Sequence, residues 1–185
     1  MYLNRRLALQ TSLLLPALAA SAAGQSAWVQ GLSQNSGGPF YEVTPWSGPL
    51  SSLELLDTTG KTWQWPDLQG RAVLLNFWAS WCEPCRAEMP TLQQVADLYG
   101  PDKLLVLAIN FKEPAARALQ FAKTTGLKLP LLLDTMGRTA GQWGVKVFPT
   151  TLMIDNRGRA RHRVKGEADW TGSAPGQLIE GLLKP

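Results

Sequence analysis

Two nearly continuous apolar runs predict strands that are buried on both faces of a sheet. They cover residues 72–79 (AVLLNFWA) and 103–111 (KLLVLAINF), and a third apolar segment follows at 129–134 (LPLLLD). A strand covered on both faces loses the apolar–polar alternation of a half-exposed strand, and parallel strands are the usual case. We therefore expect these runs at the centre of the domain.

A period of three to four residues predicts helices between and after these runs. Residues 113–126 form one such segment, and Gly126 ends it. Shorter helices are predicted at 136–145 and 176–183. The segment after the two cysteines is the longest, and Gly100 marks its end. Its apolar residues repeat along one helical face at Met89, Leu92, Val95, Ala96 and Tyr99.

Two hairpins complete the pattern. Residues 52–65 (SLELLDTTGKTWQW) predict two short strands around a Thr-Gly turn, and residues 150–155 and 159–167 predict two strands joined by Asn-Arg-Gly. Parallel strand–helix units followed by a terminal antiparallel hairpin indicate the α/β class. We predict a mixed central sheet flanked by helices, with an N-terminal β-hairpin extension and an inserted βα element.

The N-terminal region predicts export. Residues 1–23 combine Arg5 and Arg6 with an apolar stretch and the small residues of a cleavage site, which is typical of a signal peptide; an uncleaved membrane anchor is the alternative. Residues 24–50 are rich in Gly, Ser, Pro and Gln and predict a linker or loose arm. Residues 51–185 then form a single domain. A bacterial-type envelope, where disulfides persist, is the predicted location.

Charge excludes one class of partner. The chain of 185 residues has a formal net charge of +4, and removal of the signal would take away two arginines. So small a positive charge gives no basis for nucleic-acid binding. We expect a soluble mature protein.

Candidate chemistry rests on the only two cysteines, Cys82 and Cys85, within WCEPC. A disulfide across two intervening residues would constrain the fold very little. Zinc needs about four ligands, which the cysteines and the distant His162 cannot supply. Haem attachment needs His after the second cysteine, where the chain has Arg86. We therefore predict a redox couple that needs no metal or cofactor.

Helix geometry supports this interpretation. Residues i and i+3 of a first helical turn lie about 5–5.5 Å apart at Cα, which suits a disulfide that opens and closes. Cys82 comes directly off a buried strand at the helix N-terminus, where N–H groups favour a thiolate. Cys82 is the predicted nucleophile and Cys85, one turn further in, the resolving thiol.

With these motifs the sequence resembles the thioredoxin superfamily, and within it the envelope thiol–disulfide oxidoreductases of the TlpA/ResA type. The resemblance covers about residues 50–183 and includes AVLLNFWASWCEPCRAEMP and VFPTTLMIDNRG. It implies a thioredoxin fold, a periplasmic or tethered monomer, protein substrates with disulfides, and a membrane thiol donor of the DsbD/CcdA type. It also implies that Pro149 is a cis-proline facing the cysteines, and proline is the residue for which the cis bond costs least.

Several neighbours of the cysteines have predicted supporting roles. Glu88 matches the acid that the ResA-type family places beside its cysteines, where it could move a proton to or from Cys85. Glu83 lies between the cysteines, and a nearby carboxylate raises a cysteine pKa and makes the couple more reducing. Trp81 is expected to cover the disulfide, and Pro84 to stiffen the first turn.

The predicted function is a periplasmic thiol–disulfide oxidoreductase that mainly reduces its substrates, in cytochrome c maturation or copper-site assembly. Thr150 differs from the Pro-Glu pattern typical of the dedicated cytochrome c branch, so the client stays open. Two alternatives stay open as well. One is a disulfide oxidase or isomerase on the same fold, and the other is a copper-handling or chaperone module that uses the thiolates as ligands.

Overall fold

The computed structural model describes residues 41–46 and 50–184. The predicted signal at 1–23 and most of the predicted arm lie outside the described residues. Within the described part, no helix is both long enough and apolar enough to cross a membrane.

Eight strands and four α-helices make up the described chain. The strands are β1 (Tyr41–Pro45), β2 (Glu54–Leu56), β3 (Thr62–Gln64), β4 (Ala72–Trp78), β5 (Leu104–Phe111), β6 (Leu131–Asp134), β7 (Thr150–Ile154) and β8 (Ala160–Gly166). The helices are α1 (Glu83–Tyr99), α2 (Ala115–Thr125), α3 (Arg138–Gln142) and α4 (Ser173–Leu183), with a 3₁₀-helix at Trp65–Leu68.

Six of these strands form one mixed sheet in the order β1-β8-β7-β4-β5-β6. Strand β4 pairs in parallel with β5, and β5 with β6, whereas β7, β8 and β1 continue the sheet in antiparallel pairing. Every residue of β4 is buried, as its continuous apolar run predicts. The mixed α/β sheet is therefore confirmed, with the strand that leads to the cysteines at its centre.

Both faces of the sheet are covered. Alternate side chains of β4 point to opposite faces, so Leu74 and Trp78 belong to the core beneath α1, α2 and α4. Val73, Leu75 and Phe77 belong to the second core, with α3 and the hairpin. Burial on both faces explains why the sequence of β4 shows no alternation.

The hairpin extension and the inserted βα element are both present. Strands β2 and β3 pair as a separate antiparallel sheet, and Asp57 at their turn accepts bonds from Thr59, Lys61 and Trp63. Strand β6 and helix α3 form the inserted element. Trp65 begins the 3₁₀-helix instead of ending the second strand, because Pro66 directly after it has no N–H to continue the pairing.

The predicted arm at 24–50 was wrong for residues 41–45. These residues form β1, which pairs with β8 in a register that sets Val43 opposite Val164. Strand β1 has no fully buried residue, so its apolar pattern is weak. Backbone hydrogen bonds to β8, far along the chain, hold β1 in the sheet. No local sequence pattern predicts such pairing.

Candidate active site

The two cysteines lie where β4 ends and α1 begins. Cys82 is the N-cap residue of α1, and Cys85 belongs to its first turn. A disulfide joins them with the Cα atoms 5.3 Å apart, within the range that such a bond tolerates. Cys82 retains 6% of its accessible surface and Cys85 retains 0%. The more exposed cysteine is therefore the one predicted to attack.

Local backbone geometry suits a thiolate at Cys82. The backbone N–H of Cys85 donates to Sγ of Cys82 at 3.3 Å, the bond that an N-cap side chain accepts. Pro84 lies within the first turn, where a helix needs no N–H from it. The first-turn N–H groups and the helix dipole both stabilise negative charge on this sulfur.

A cis peptide bond joins Phe148 to Pro149 immediately before β7. The register of β7 with β4 sets Thr150 opposite Phe77, so this segment lies beside the end of β4. The ring of Phe148 meets the ring of Trp81 edge-on, with the centroids 6.1 Å apart. The predicted cis-proline and the cysteine turn are therefore neighbours.

Trp81 and Glu83 both lie at the surface of the active-site segment. Trp81 is 65% exposed, which leaves a large aromatic side chain open to a partner beside the disulfide. Glu83 is exposed in the first turn of α1. Trp78, by contrast, is fully buried and its ring centroid lies 4.8 Å from that of Phe121, in agreement with the buried strand predicted at 72–79.

Glu88 is buried one helical turn after Cys85, with 1% of its surface accessible. Its carboxylate accepts hydrogen bonds from Nδ2 of Asn76 at 2.6 Å, from the backbone N–H of Ala168 at 3.1 Å and from Nε1 of Trp170 at 3.3 Å. Burial raises its pKa from 4.5 to about 8, against the three bonds, which lower it. A carboxyl group with this pKa can give or take a proton near neutral pH.

A second buried carboxylate, that of Glu113, was missed by the sequence analysis. Its Oε1 accepts from the Ser80 hydroxyl at 2.6 Å, and its Oε2 accepts from the Ser80 backbone N–H at 2.7 Å and from Nδ2 of Asn110 at 2.8 Å. The available signal was Asn110 and Glu113 at the carboxyl end of an apolar strand, where functional side chains of α/β folds gather. Trp170 and Ala168 carried no such signal, because both lie far from the cysteines in sequence.

The described residues contain no group of three or more His, Cys, Asp and Glu side chains arranged to hold a metal ion.

Comparison with known proteins agrees with this geometry. The sequence profile of the AhpC/TSA family matches residues 48–163. The chain belongs to the AhpC/TSA family. It is 29% identical to the thiol-disulfide oxidoreductase ResA of Geobacillus kaustophilus over 163 residues, which is 88% of this chain and 89% of that protein. It is 38% identical to the thioredoxin-like protein YneN of Bacillus subtilis over 133 residues, 69% of each chain.

A solved structure supports the same assignment of fold. A candidate thiol:disulfide interchange protein DsbE from Chlorobium tepidum superposes with a TM-score of 0.69 at 29% identity, covering 75% of this chain and 97% of that one. The predicted thioredoxin fold is confirmed. So is the enzyme class: this AhpC/TSA-family protein is a thiol–disulfide oxidoreductase.

Proposed function

We propose that this protein is an exported reductant of disulfides in other proteins. The observation that carries the proposal is the contrast between the two sulfurs. Cys82 is the more exposed residue and its Sγ accepts a helix N–H, whereas Cys85 is fully buried, one turn before a carboxyl group whose pKa is about 8. Cys82 is therefore suited to attack the client disulfide, and Cys85 to stay protonated until Glu88 accepts its proton.

The reaction is a dithiol–disulfide exchange. The thiolate of reduced Cys82 attacks one sulfur of the client disulfide; a mixed disulfide forms, and the other client sulfur leaves and takes a proton. Glu88 then accepts the proton of Cys85, whose thiolate attacks Sγ of Cys82 and displaces the second client sulfur. The client gains two electrons and two protons, and the enzyme is left with the Cys82–Cys85 disulfide.

The carboxylate of Glu83, which follows Cys82 directly, favours the reducing direction. Glu88 lies one turn beyond Cys85, but with a pKa of about 8 it carries little negative charge near neutral pH. Negative charge makes a nearby thiolate less stable and so makes the couple more reducing. A reduction potential measured against glutathione tests this. We expect a value nearer the thioredoxin end of the scale, about −270 mV, and a value near about −120 mV would favour the oxidase alternative.

The predicted signal at 1–23 supports an extracytoplasmic location. In the proposed reaction cycle a membrane thiol donor of the DsbD/CcdA type supplies the electrons, and the enzyme acts as a monomer. The clients proposed are proteins with cysteine pairs that must be reduced for cytochrome c maturation or for copper-site assembly. Such a client needs both of its cysteines as free thiols, and in the oxidising envelope these cysteines would otherwise join in a disulfide.

Client capture tests this directly. Cys85→Ser blocks resolution, so the mixed disulfide at Cys82 persists and links the enzyme to its client. The matched control, Cys82→Ser with Cys85→Ser, keeps the fold and removes the attacking sulfur. Clients captured by the first variant alone would support the proposal. Full disulfide reduction by Cys82→Ser would exclude the mechanism, and copper binding lost with that variant would favour the copper-handling alternative.

A further inference from the structure

Glu113 contacts Ser80, which precedes Cys82, whereas Glu88 lies on α1 after Cys85. Glu113 follows β5 on the chain and retains 7% of its accessible surface. Two of its three hydrogen bonds come from Ser80, which stands two residues before Cys82, and the third comes from Asn110. Its carboxylate therefore ties the end of β5 to the turn that follows β4.

That turn delivers Cys82 to the helix. The backbone N–H of Cys82 donates to the carbonyl of Ala79 at 3.2 Å, which closes a tight turn with Ser80 as its second residue. Both the N–H and the hydroxyl of Ser80 are bound by Glu113. Because the turn is this short, fixing Ser80 also fixes the direction from which Cys82 enters α1.

The backbone before Glu113 has a special conformation. Lys112 has a φ of 54°, in the left-handed region that side-chain-bearing residues rarely adopt. Its N–H donates to the carbonyl of Asp134 at 3.0 Å, which holds the conformation in place. Such backbone conformations cluster at functional sites, and Glu113 is the next residue along the chain.

Glu113 also brings negative charge to the turn that precedes Cys82. The ion pairs found among the described residues do not include it, and its hydrogen-bond donors are neutral. Neutral donors hold a carboxylate in place without cancelling its charge, so its field extends to the turn.

We propose that Glu113 is a positioning residue for Cys82: its carboxylate holds the Ala79–Cys82 turn for attack, and its charge makes the Cys82 thiolate less stable and the couple more reducing. The inference deepens the proposed function and rests on it for its biological meaning. The two carboxylates then have separate roles, with Glu113 acting on the attacking sulfur and Glu88 on the resolving one.

The test is the pH profile of Cys82 alkylation by iodoacetamide, in the full chain carrying Cys85→Ser so that Cys82 is the only thiol. In that background Glu113→Gln removes the charge at nearly constant size. We expect its profile to move to lower pH, with alkylation about threefold or more faster on the acidic limb. An unchanged profile, with only a loss of thermal stability, would overturn the proposal and leave Glu113 a structural role.

Three further variants separate charge from structure. Ser80→Ala loses one hydrogen bond and keeps the charge, so we expect the profile of the parent. Glu180→Gln removes an exposed carboxylate from α4 and is expected to change nothing. Asn110→Ala removes the third neutral donor and also keeps the charge, so we again expect the profile of the parent.

Glu113→Ala removes the same charge without leaving an amide to be accommodated, so it keeps the proposal testable if Glu113→Gln does not fold: a profile at or above the parent pH would then overturn it. Alkylation needs no client and assumes no direction of electron flow. A failure of the proposed reductase function would therefore leave this result standing, and a failure here would leave the reductase proposal intact.

Discussion

Glu88 on α1 and Asn76 on β4 share a hydrogen bond of 2.6 Å inside the core. Asn76 interrupts an apolar strand, and the same Nδ2 also donates to Oγ1 of Thr151 at 2.9 Å. Thr151 lies two residues after the cis-proline Pro149. One polar network therefore connects the helix of the cysteines, the central strand and the cis-proline strand.

The first prediction concerns the pH dependence of stability. The pKa of Glu88 is about 8 in the folded protein against 4.5 for the free group, so the native state binds a proton that the unfolded chain has lost. Stability should therefore fall as pH rises from about 4.5 to about 8, by up to about 1.4 kcal/mol per pH unit. Glu88→Gln should remove this slope.

Urea unfolding of the oxidised protein across that range measures the effect, with Glu54→Gln on the exposed strand β2 as the control. The pKa of His162 is lowered by burial and by Arg161. Its effect on the pH dependence of stability is the same in wild type and in Glu88→Gln, so it cancels when the two curves are subtracted. Parallel curves for wild type and Glu88→Gln would contradict the assigned ionisation.

The second prediction concerns the resolving step. If Glu88 takes the proton of Cys85, then Glu88→Gln should slow the decay of a mixed disulfide at Cys82 by at least about tenfold near neutral pH. Wild-type decay should accelerate as pH rises toward about 8. Rapid-quench kinetics with a model disulfide measures both, and initial attack by Cys82 should change much less. Equal slowing of both steps would indicate general damage to the site.

The third prediction tests the indole at Glu88. Trp170→Phe keeps an aromatic ring and removes the N–H that donates to the carboxylate at 3.3 Å. Since that bond lowers the pKa of Glu88, its loss should raise the pKa of Glu88 above the value of about 8 that it has in the wild-type protein. Carboxyl NMR titration of labelled glutamate measures the change. Trp143→Phe is the matched control, because its indole donates to the Ser52 carbonyl instead.

The fourth prediction concerns β1, the strand that the sequence analysis placed in an arm. Val43 packs against the core beneath the helices, so Val43→Asp should destabilise the domain by about 1–3 kcal/mol. Glu42→Gln next to it removes only an exposed ion pair with Lys165 and should cost less than about 1 kcal/mol. Equal effects in chemical denaturation would mean that β1 contributes no packing.

The parts of the site predictable from sequence were those with local signals. Cys82 and Cys85 stand at a helical spacing directly after a buried strand, and the resemblance of Pro149 and Glu88 to family positions placed them beside the pair. Partners from distant segments had no such signal. Trp170 and Ala168 meet Glu88 only because α1 packs against the segment before α4, which is a property of the tertiary fold.

Strand β1 and Glu113 show the same limit in different ways. A half-buried strand of five residues has too few apolar positions to predict its pairing. Glu113 follows the left-handed Lys112, and the Ser80 that it contacts lies 33 positions earlier in the chain. Backbone direction at single residues is poorly encoded in composition or periodicity.

The disulfide closes a loop with a sequence separation of 3, and this has a thermodynamic consequence. So small a ring restricts the unfolded chain by only about 2 kcal/mol, less than a long loop would. A difference in melting temperature between the oxidised and reduced proteins that departs from this small term reflects how the native surroundings accommodate a bond and two thiols. A pair of calorimetric scans would thus show, without any electrode or redox buffer, which oxidation state the folded protein favours relative to the unfolded chain.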